Sequence, residues 1–129
     1  MHKLNDIHHV AVICSDYRKS KEFYTEVLGL EVIHETFRSE RNSYKLDLGL
    51  NGKFIIELFS FDNPPSRPTK PEAAGLRHLA FEVDRIEEAC SYLTERGIGF
   101  EAIRTDQLTG KRFIFFRDPD DLPLEFYER

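Results

Sequence analysis

Two histidines and two glutamates stand at matching places in this chain. His9 lies in "IHHVAV" and His78 in "LRHLAF", which align as apolar, polar, His, apolar, Ala, apolar. Glu57 lies in "FIIELF" and Glu125 in "LPLEFY", each a lone carboxylate among apolar neighbours. The separations also match, with 48 positions from His9 to Glu57 and 47 from His78 to Glu125. A carboxylate on an apolar strand face is costly unless it is paired, hydrogen-bonded or bound to a cation. Two imidazoles and two carboxylates brought together would make an N₂O₂ donor set for a divalent transition ion, with room for water or substrate. A rim histidine and an edge glutamate facing solvent are the plainer explanations. Each would have to hold twice, at equivalent positions.

The elements that must position these residues repeat as well. Residues 6–14 read as a strand, with Ser15 and Asp16 as capping residues for a helix whose apolar positions are Tyr17, Phe23, Tyr24, Val27 and Leu28. Gly29 stops it. Strands are predicted at 30–37, 44–50 and 53–60, the last two joined by Asn51-Gly52, the strongest short hairpin signal. A proline-rich connector over 62–75 follows, holding Pro64, Pro65, Pro68 and Pro71. The pattern then returns as a strand at 76–83, a helix carrying Ile86, Ala89, Cys90 and Leu93, and strands at 98–104, 111–117 and 122–128. The order predicts an α+β fold of two βαβββ modules, 1–61 and 76–129, within one domain spanning 1–129. Either half alone would leave a sheet face bare, so the halves are expected to pair.

The totals narrow the function classes. A chain of 129 residues, 40% apolar and 32% charged, is long enough to bury its own core. The net charge of −5, with the two signs interleaved, argues against a nucleic-acid or anionic-membrane surface. "MHKLNDIHHV" lacks the apolar core of a signal peptide, and no run is long enough to span a membrane. Cys14 and Cys90 read as free thiols, and a cytoplasmic location is expected.

On "HHVAVICSDYRKSKEFYTEVLGLEV", "FIIELFSF", "GLRHLAFEVD" and "FRDPDDLPLEFYE", the sequence resembles the vicinal oxygen chelate superfamily, and glyoxalase I in particular, over nearly its whole length. That resemblance implies two modules curved into an eight-stranded incomplete barrel. It implies His9, Glu57, His78 and Glu125 as ligands of one divalent metal (Ni, Zn, Co, Mn or Fe(II)). Relatives that cleave rings or modify fosfomycin use three such ligands, and the coenzyme-A-ester epimerase has Gln at the second place. Glu57 is therefore the glyoxalase I feature. The implied reaction is a lyase or isomerase step in which Glu125 abstracts a proton beside a metal-chelated oxygen pair. Glu57 would be a ligand and second proton carrier, with the histidines as anchors. A small-molecule substrate and a homodimer are implied too.

The chain departs from the glutathione-using pattern at two places. Ile13 stands where an Arg is usual and Phe61 where an Asn is usual, so a substrate different from or smaller than the glutathione adduct is expected. Asp121 replaces the Gly that ends the usual Asp-Pro-Asp-Gly turn, which Asp tolerates at a cost of roughly 1 kcal/mol. Arg38, Tyr44, Lys111 and Arg112 are the candidate substrate contacts. His8 aligns with Arg77 and is expected to face outward as a bystander. A ligand-sequestering module of the same fold, without catalysis, is the competing reading, as is another enzyme of the superfamily: epimerase, thiol transferase or dioxygenase.

Overall fold

The computed structural model describes residues 2–129. The chain forms two compact units, Met1–Pro65 and Ser66–Arg129. The first contains β1 (Val10–Cys14), α1 (Tyr17–Glu22), β2 (Glu31–Arg38), β3 (Ser43–Leu50) and β4 (Lys53–Ser60). The second contains β5 (Leu79–Val83), α2 (Ile86–Glu95), β6 (Arg104–Thr105), β7 (Arg112–Arg117) and β8 (Pro123–Glu128). Each unit builds one four-stranded mixed sheet, ordered β1-β4-β3-β2 and β5-β8-β7-β6. In both, the first strand runs parallel to the last while the hairpin-joined strands are antiparallel. The class is α+β, as the sequence predicts.

Strand alternation sorts the side chains of each sheet onto two faces. In the first unit Val12, Cys14, Leu46, Leu48, Ile56 and Leu58 are buried on one face, with Phe23 and Tyr24 from the helical segment also buried. In the second unit Ile114, Phe116, Leu124 and Phe126 are buried, with Ile86, Ala89 and Leu93 of α2. The opposite face of each sheet carries the Glu of the repeat, Glu57 on β4 and Glu125 on β8.

Both helices begin as the sequence implies, but they are capped differently. The Asp16 side chain accepts a hydrogen bond from the Lys19 backbone N–H (3.1 Å). In α2 the cap comes from another element, because Glu128 on β8 accepts from the Ile86 N–H (3.0 Å). The first helix does not run as one α-helix to Leu28. Residues Phe23–Val27 form a π-type turn in which the Leu28 N–H reaches back five residues to the Phe23 carbonyl (3.0 Å). Gly29 and Gly97 end the helices with positive φ, and Asn51 and Gly52 both take the positive φ that a tight hairpin needs. Asp121 sits at φ +70°, so Asp fills the left-handed position of the turn.

Two predicted strands are shorter than expected. The strands starting at 6 and 76 begin only at Val10 and Leu79, because Ile7 and Leu76 stay exposed and the parallel ladders start at Val10–Ile56 and Leu79–Leu124. His9 and His78 thus each stand one residue before their strand. The segment 98–104 contributes only Arg104–Thr105 to the sheet. It is an edge with glycines at 97 and 99, and glycine weakens a strand.

The β3–β4 hairpin contains a register shift between Leu48 and Gly49. Leu50 pairs with Lys53 and Gly49 with Phe54, but Leu48 then pairs with Ile56, leaving Ile55 as the extra residue of a β-bulge. A regular hairpin would have set Leu46 opposite Glu57. With the bulge, Leu46 and Leu48 meet Leu58 and Ile56 on the buried face, and Asp47 stands opposite Glu57. Gly49 is needed for this packing, since a Cβ there would lie 2.9 Å from Ile33 Cδ1 and 3.1 Å from the Lys53 carbonyl.

Candidate functional site

Each unit brings its own His and Glu together. In the first, His9 Nε2 lies 3.7 Å from Glu57 Oε1. The imidazole is stacked on Phe54 (4.9 Å between centroids, 10° between planes), which fixes its plane. Its other nitrogen shares a hydrogen bond with His8, Nδ1 to Nδ1 (2.9 Å). His8 is therefore no bystander: it occupies the far side of the His9 ring and leaves Nε2 to face the carboxylate. An outer partner of this kind fixes ring orientation and tautomer in histidine ligands generally.

Glu57 has a second neighbour. Lys45 on β3 places Nζ 3.3 Å from Glu57 Oε2 and 2.7 Å from Asp47 Oδ1. The Asp47 hydrogen bond, opposed by burial and aided by Glu57, holds the Lys45 ammonium above its ordinary range. Arg38 is on this same sheet face, with its guanidinium 4.7 Å above the Phe59 ring and Nη2 donating to Ser43 Oγ (2.8 Å). Lys45 and Asp47 stand two residues apart on β3. Alternation puts both on one face; only the bulge puts Asp47 across from Glu57 and Lys45 across from Phe59.

In the second unit, His78 Nε2 lies 3.3 Å from Glu125 Oε1, and the Glu125 side chain is 11% exposed. The cross-strand positions that hold Asp47 and Lys45 in the first unit hold Phe115 and Phe113 here, paired with Glu125 and Tyr127. Phe115 meets the His78 ring edge-to-face at 5.0 Å. Among the described residues no Lys or Arg pairs with Glu125. A cavity of about 600 Å³ opens on this face, with His78, Glu125, Phe113, Phe115 and Tyr127 in its lining.

Two donors held about 2.1 Å from one ion lie roughly 3.0–3.4 Å apart. The His78–Glu125 pair has that spacing and the His9–Glu57 pair is slightly wider. Imidazole and carboxylate are the donor types that divalent transition ions accept. Among the described residues no group of three or more His, Cys, Asp or Glu comes together, so each unit by itself offers two donors.

Three of the expected substrate contacts lie elsewhere. Tyr44 shares its parity with Leu46 and Leu48, and it stacks on Tyr17 of α1 (4.2 Å, 1°) on the face opposite Glu57. Arg112 shares its parity with Ile114 and Phe116 and is locked to Glu87 of α2 (2.7 Å) and Glu128 (2.8 Å). Lys111 donates to the Arg129 carbonyl (2.9 Å). Arg38 shares a face with a His–Glu pair, and Lys111 is not in the lining of the cavity beside Glu125.

Known proteins with this sequence pattern agree on the fold and differ in activity. The Bacillus subtilis (strain 168) protein YwkD, itself uncharacterized, is 65% identical over 126 residues, covering 98% of each chain. The solved structure of a glyoxalase family protein from Enterococcus faecalis superposes with a TM-score of 0.89 at 52% identity, covering 95% of this chain and 97% of that one. The lactoylglutathione lyase of Schizosaccharomyces pombe is 31% identical over 146 residues, which is 96% of this chain but 46% of the longer enzyme. More distant relatives include an epimerase and a metallothiol transferase. No helix among the described residues is long and apolar enough to cross a membrane. A sequence profile of the Glyoxalase/Bleomycin resistance protein/Dioxygenase superfamily matches residues 6–126, and the chain belongs to that superfamily.

Proposed function

We propose that this protein is a metal-dependent, glyoxalase I-like lyase or isomerase of its superfamily, acting on a small oxygenated molecule. The observation that carries this reading is the duplication of one His–Glu pair on the same sheet face in both units. His9, Glu57, His78 and Glu125 would hold one divalent transition ion, supplied by two modules of one chain or of two copies. When bound, such an ion acts as a Lewis acid that stabilises negative charge on a chelated oxygen pair.

The protein's own residues do the rest. Glu125, among aromatic walls and with the His78 imidazole 3.3 Å away, is the base that takes a carbon-bound proton. Glu57, already beside a cation in Lys45, is the second ligand and the second proton carrier. His9 and His78 anchor, with His8 and Phe54 setting the plane of the first ring. Phe113 and Phe115 keep water from the base. Ile13 and Phe61 replace two groups expected to hold glutathione, which supports a different thiol or a smaller substrate.

Metal content of protein purified without added metal tests the reading directly. The wild type is expected to carry bound divalent metal and His9→Ala/Glu125→Gln to carry far less; equal contents sink the proposal. Hemithioacetals of methylglyoxal with a panel of small thiols then test the reaction. Turnover of none of them removes the glyoxalase assignment.

A further inference from the structure

We propose that Arg67 is an anion anchor of the His78–Glu125 cavity, so that the substrate carries a carboxylate or phosphate group in addition to the oxygens that meet the His–Glu pair. This rests on the enzyme reading above and names the substrate class for that site. Five cationic side chains line the cavity: Arg67, Lys70, Arg77, Arg104 and Arg117. Three of them are neutralised at short range. Arg77 pairs with Glu72 (2.5 Å), Arg104 with Glu101 (3.2 Å) and Arg117 with Asp121 (3.0 Å). Arg104 is further fixed over Phe113 and Phe115, 5.4 and 5.2 Å from the ring centroids.

Arg67 is different. Its Nη2 donates to the backbone carbonyls of Leu76 and Arg77, the latter at 3.2 Å. These are the two peptide carbonyls just before His78, so the guanidinium is tied to the segment that carries the histidine. Carbonyls orient a guanidinium but leave its charge uncancelled, and no carboxylate of the described residues pairs with it. Its Nε is buried with no acceptor. A buried donor without a partner is unfavourable, and a charged one more so. The arrangement is an oriented guanidinium whose Nη2 is committed to the two carbonyls and whose Nη1 is left to donate, and a charge-assisted N–H donor suits a carboxylate or phosphate oxygen. Lys70, also without a carboxylate partner, adds a second positive charge to the same lining. A cavity of about 600 Å³ holds a small oxyacid with its reactive carbon near Glu125 and its anionic end at Arg67.

Calorimetric titration of the full chain with malonate, inorganic phosphate and neutral malonamide tests this, on protein as purified and after EDTA treatment. At least one anion is expected to bind ten-fold or more tightly than malonamide, and whichever of the two binds tighter names the anionic group. Arg67→Gln is expected to weaken that anion at least ten-fold. Arg96→Gln, which removes an equal charge at the end of α2, is expected to bind like the wild type. Arg67→Lys keeps the charge but loses the guanidinium that is tied to the two carbonyls, and is expected to weaken the anion several-fold while retaining the wild-type far-ultraviolet spectrum. The proposal is overturned if neither Arg67 variant weakens the anion, if malonamide binds as well as both anions, or if the wild type binds neither. The EDTA arm separates the two readings. If the wild type carries no metal, the enzyme reading falls, while Arg67-dependent binding after EDTA still upholds the anchor.

Discussion

The two units use one frame to surround the same pair with opposite materials. Glu57 faces a Lys45–Asp47 couple across the sheet, whereas the equivalent positions around Glu125 are Phe113 and Phe115. In the first unit one ammonium is shared by two carboxylates, nearer to Asp47 (2.7 Å) than to Glu57 (3.3 Å). The second leaves Glu125 11% exposed, with the His78 imidazole 3.3 Å away. A repeated fold keeps the His–Glu pair in place, and the residues one strand away set the surroundings of each glutamate. For the proposed reaction, that asymmetry is the reason to assign a ligand role to Glu57 and the base role to Glu125.

The comparison breaks first at the two glutamates. With any methylglyoxal hemithioacetal that the wild type turns over, Glu125→Gln is expected to lower kcat by roughly 10³-fold, the loss of a general base. Glu57→Gln is expected to cost markedly less in kcat at saturating metal. Equal losses in steady-state assays would erase the asymmetry. Next in size is Lys45→Met, which strips Glu57 and Asp47 of their cation. It is expected to destabilise metal-free protein by about 1–2 kcal/mol in urea unfolding. A divalent metal is expected to recover more of the Tm in this variant than in the wild type; identical metal-induced shifts would mean that Lys45 does not offset the Glu57 charge.

The smallest effect concerns the helix-packed faces, where the units agree. A hydrogen bond from Lys21, with help from Tyr17, holds the Glu35 carboxyl below its usual range, and Arg112, with the Ile86 N–H, does the same for Glu128. Depressed carboxyls contribute stability that is complete above the ordinary value of 4.5 and is lost as pH falls through the folded-state values. Glu35→Gln/Glu128→Gln is therefore expected to reduce, modestly, the drop in urea midpoint between pH 7 and pH 3. An unchanged drop would show that neither pair contributes to acid sensitivity.

Much of this was legible in the residues. The repeated His, the lone Glu of each final strand, the Asn51-Gly52 turn and the Asp16 cap follow from alternation, spacing and turn chemistry, which act locally. Tyr44 and Arg112 were readable too, because each shares parity with buried leucine, isoleucine or phenylalanine. Their polar tips suggested a pocket only while that parity was ignored. Two features lay beyond local rules. The bulge that sets Asp47 against Glu57 resolves a conflict between the turn and the apolar pattern, visible only when both strands are paired. Arg67 sits in the proline-rich connector, where no periodicity tells which way a side chain goes.

The unpaired Ile55 gives the β3–β4 ribbon slack. Because the ladder re-phases there, the tip of the hairpin and the stretch that holds Glu57 are geared separately. A tight turn of a different length can be absorbed at the bulge without rotating the carboxylate toward the core. The second unit, whose β7–β8 ladder runs without a shift, has no such clutch, and any change in its Asp-rich turn is transmitted straight to Glu125.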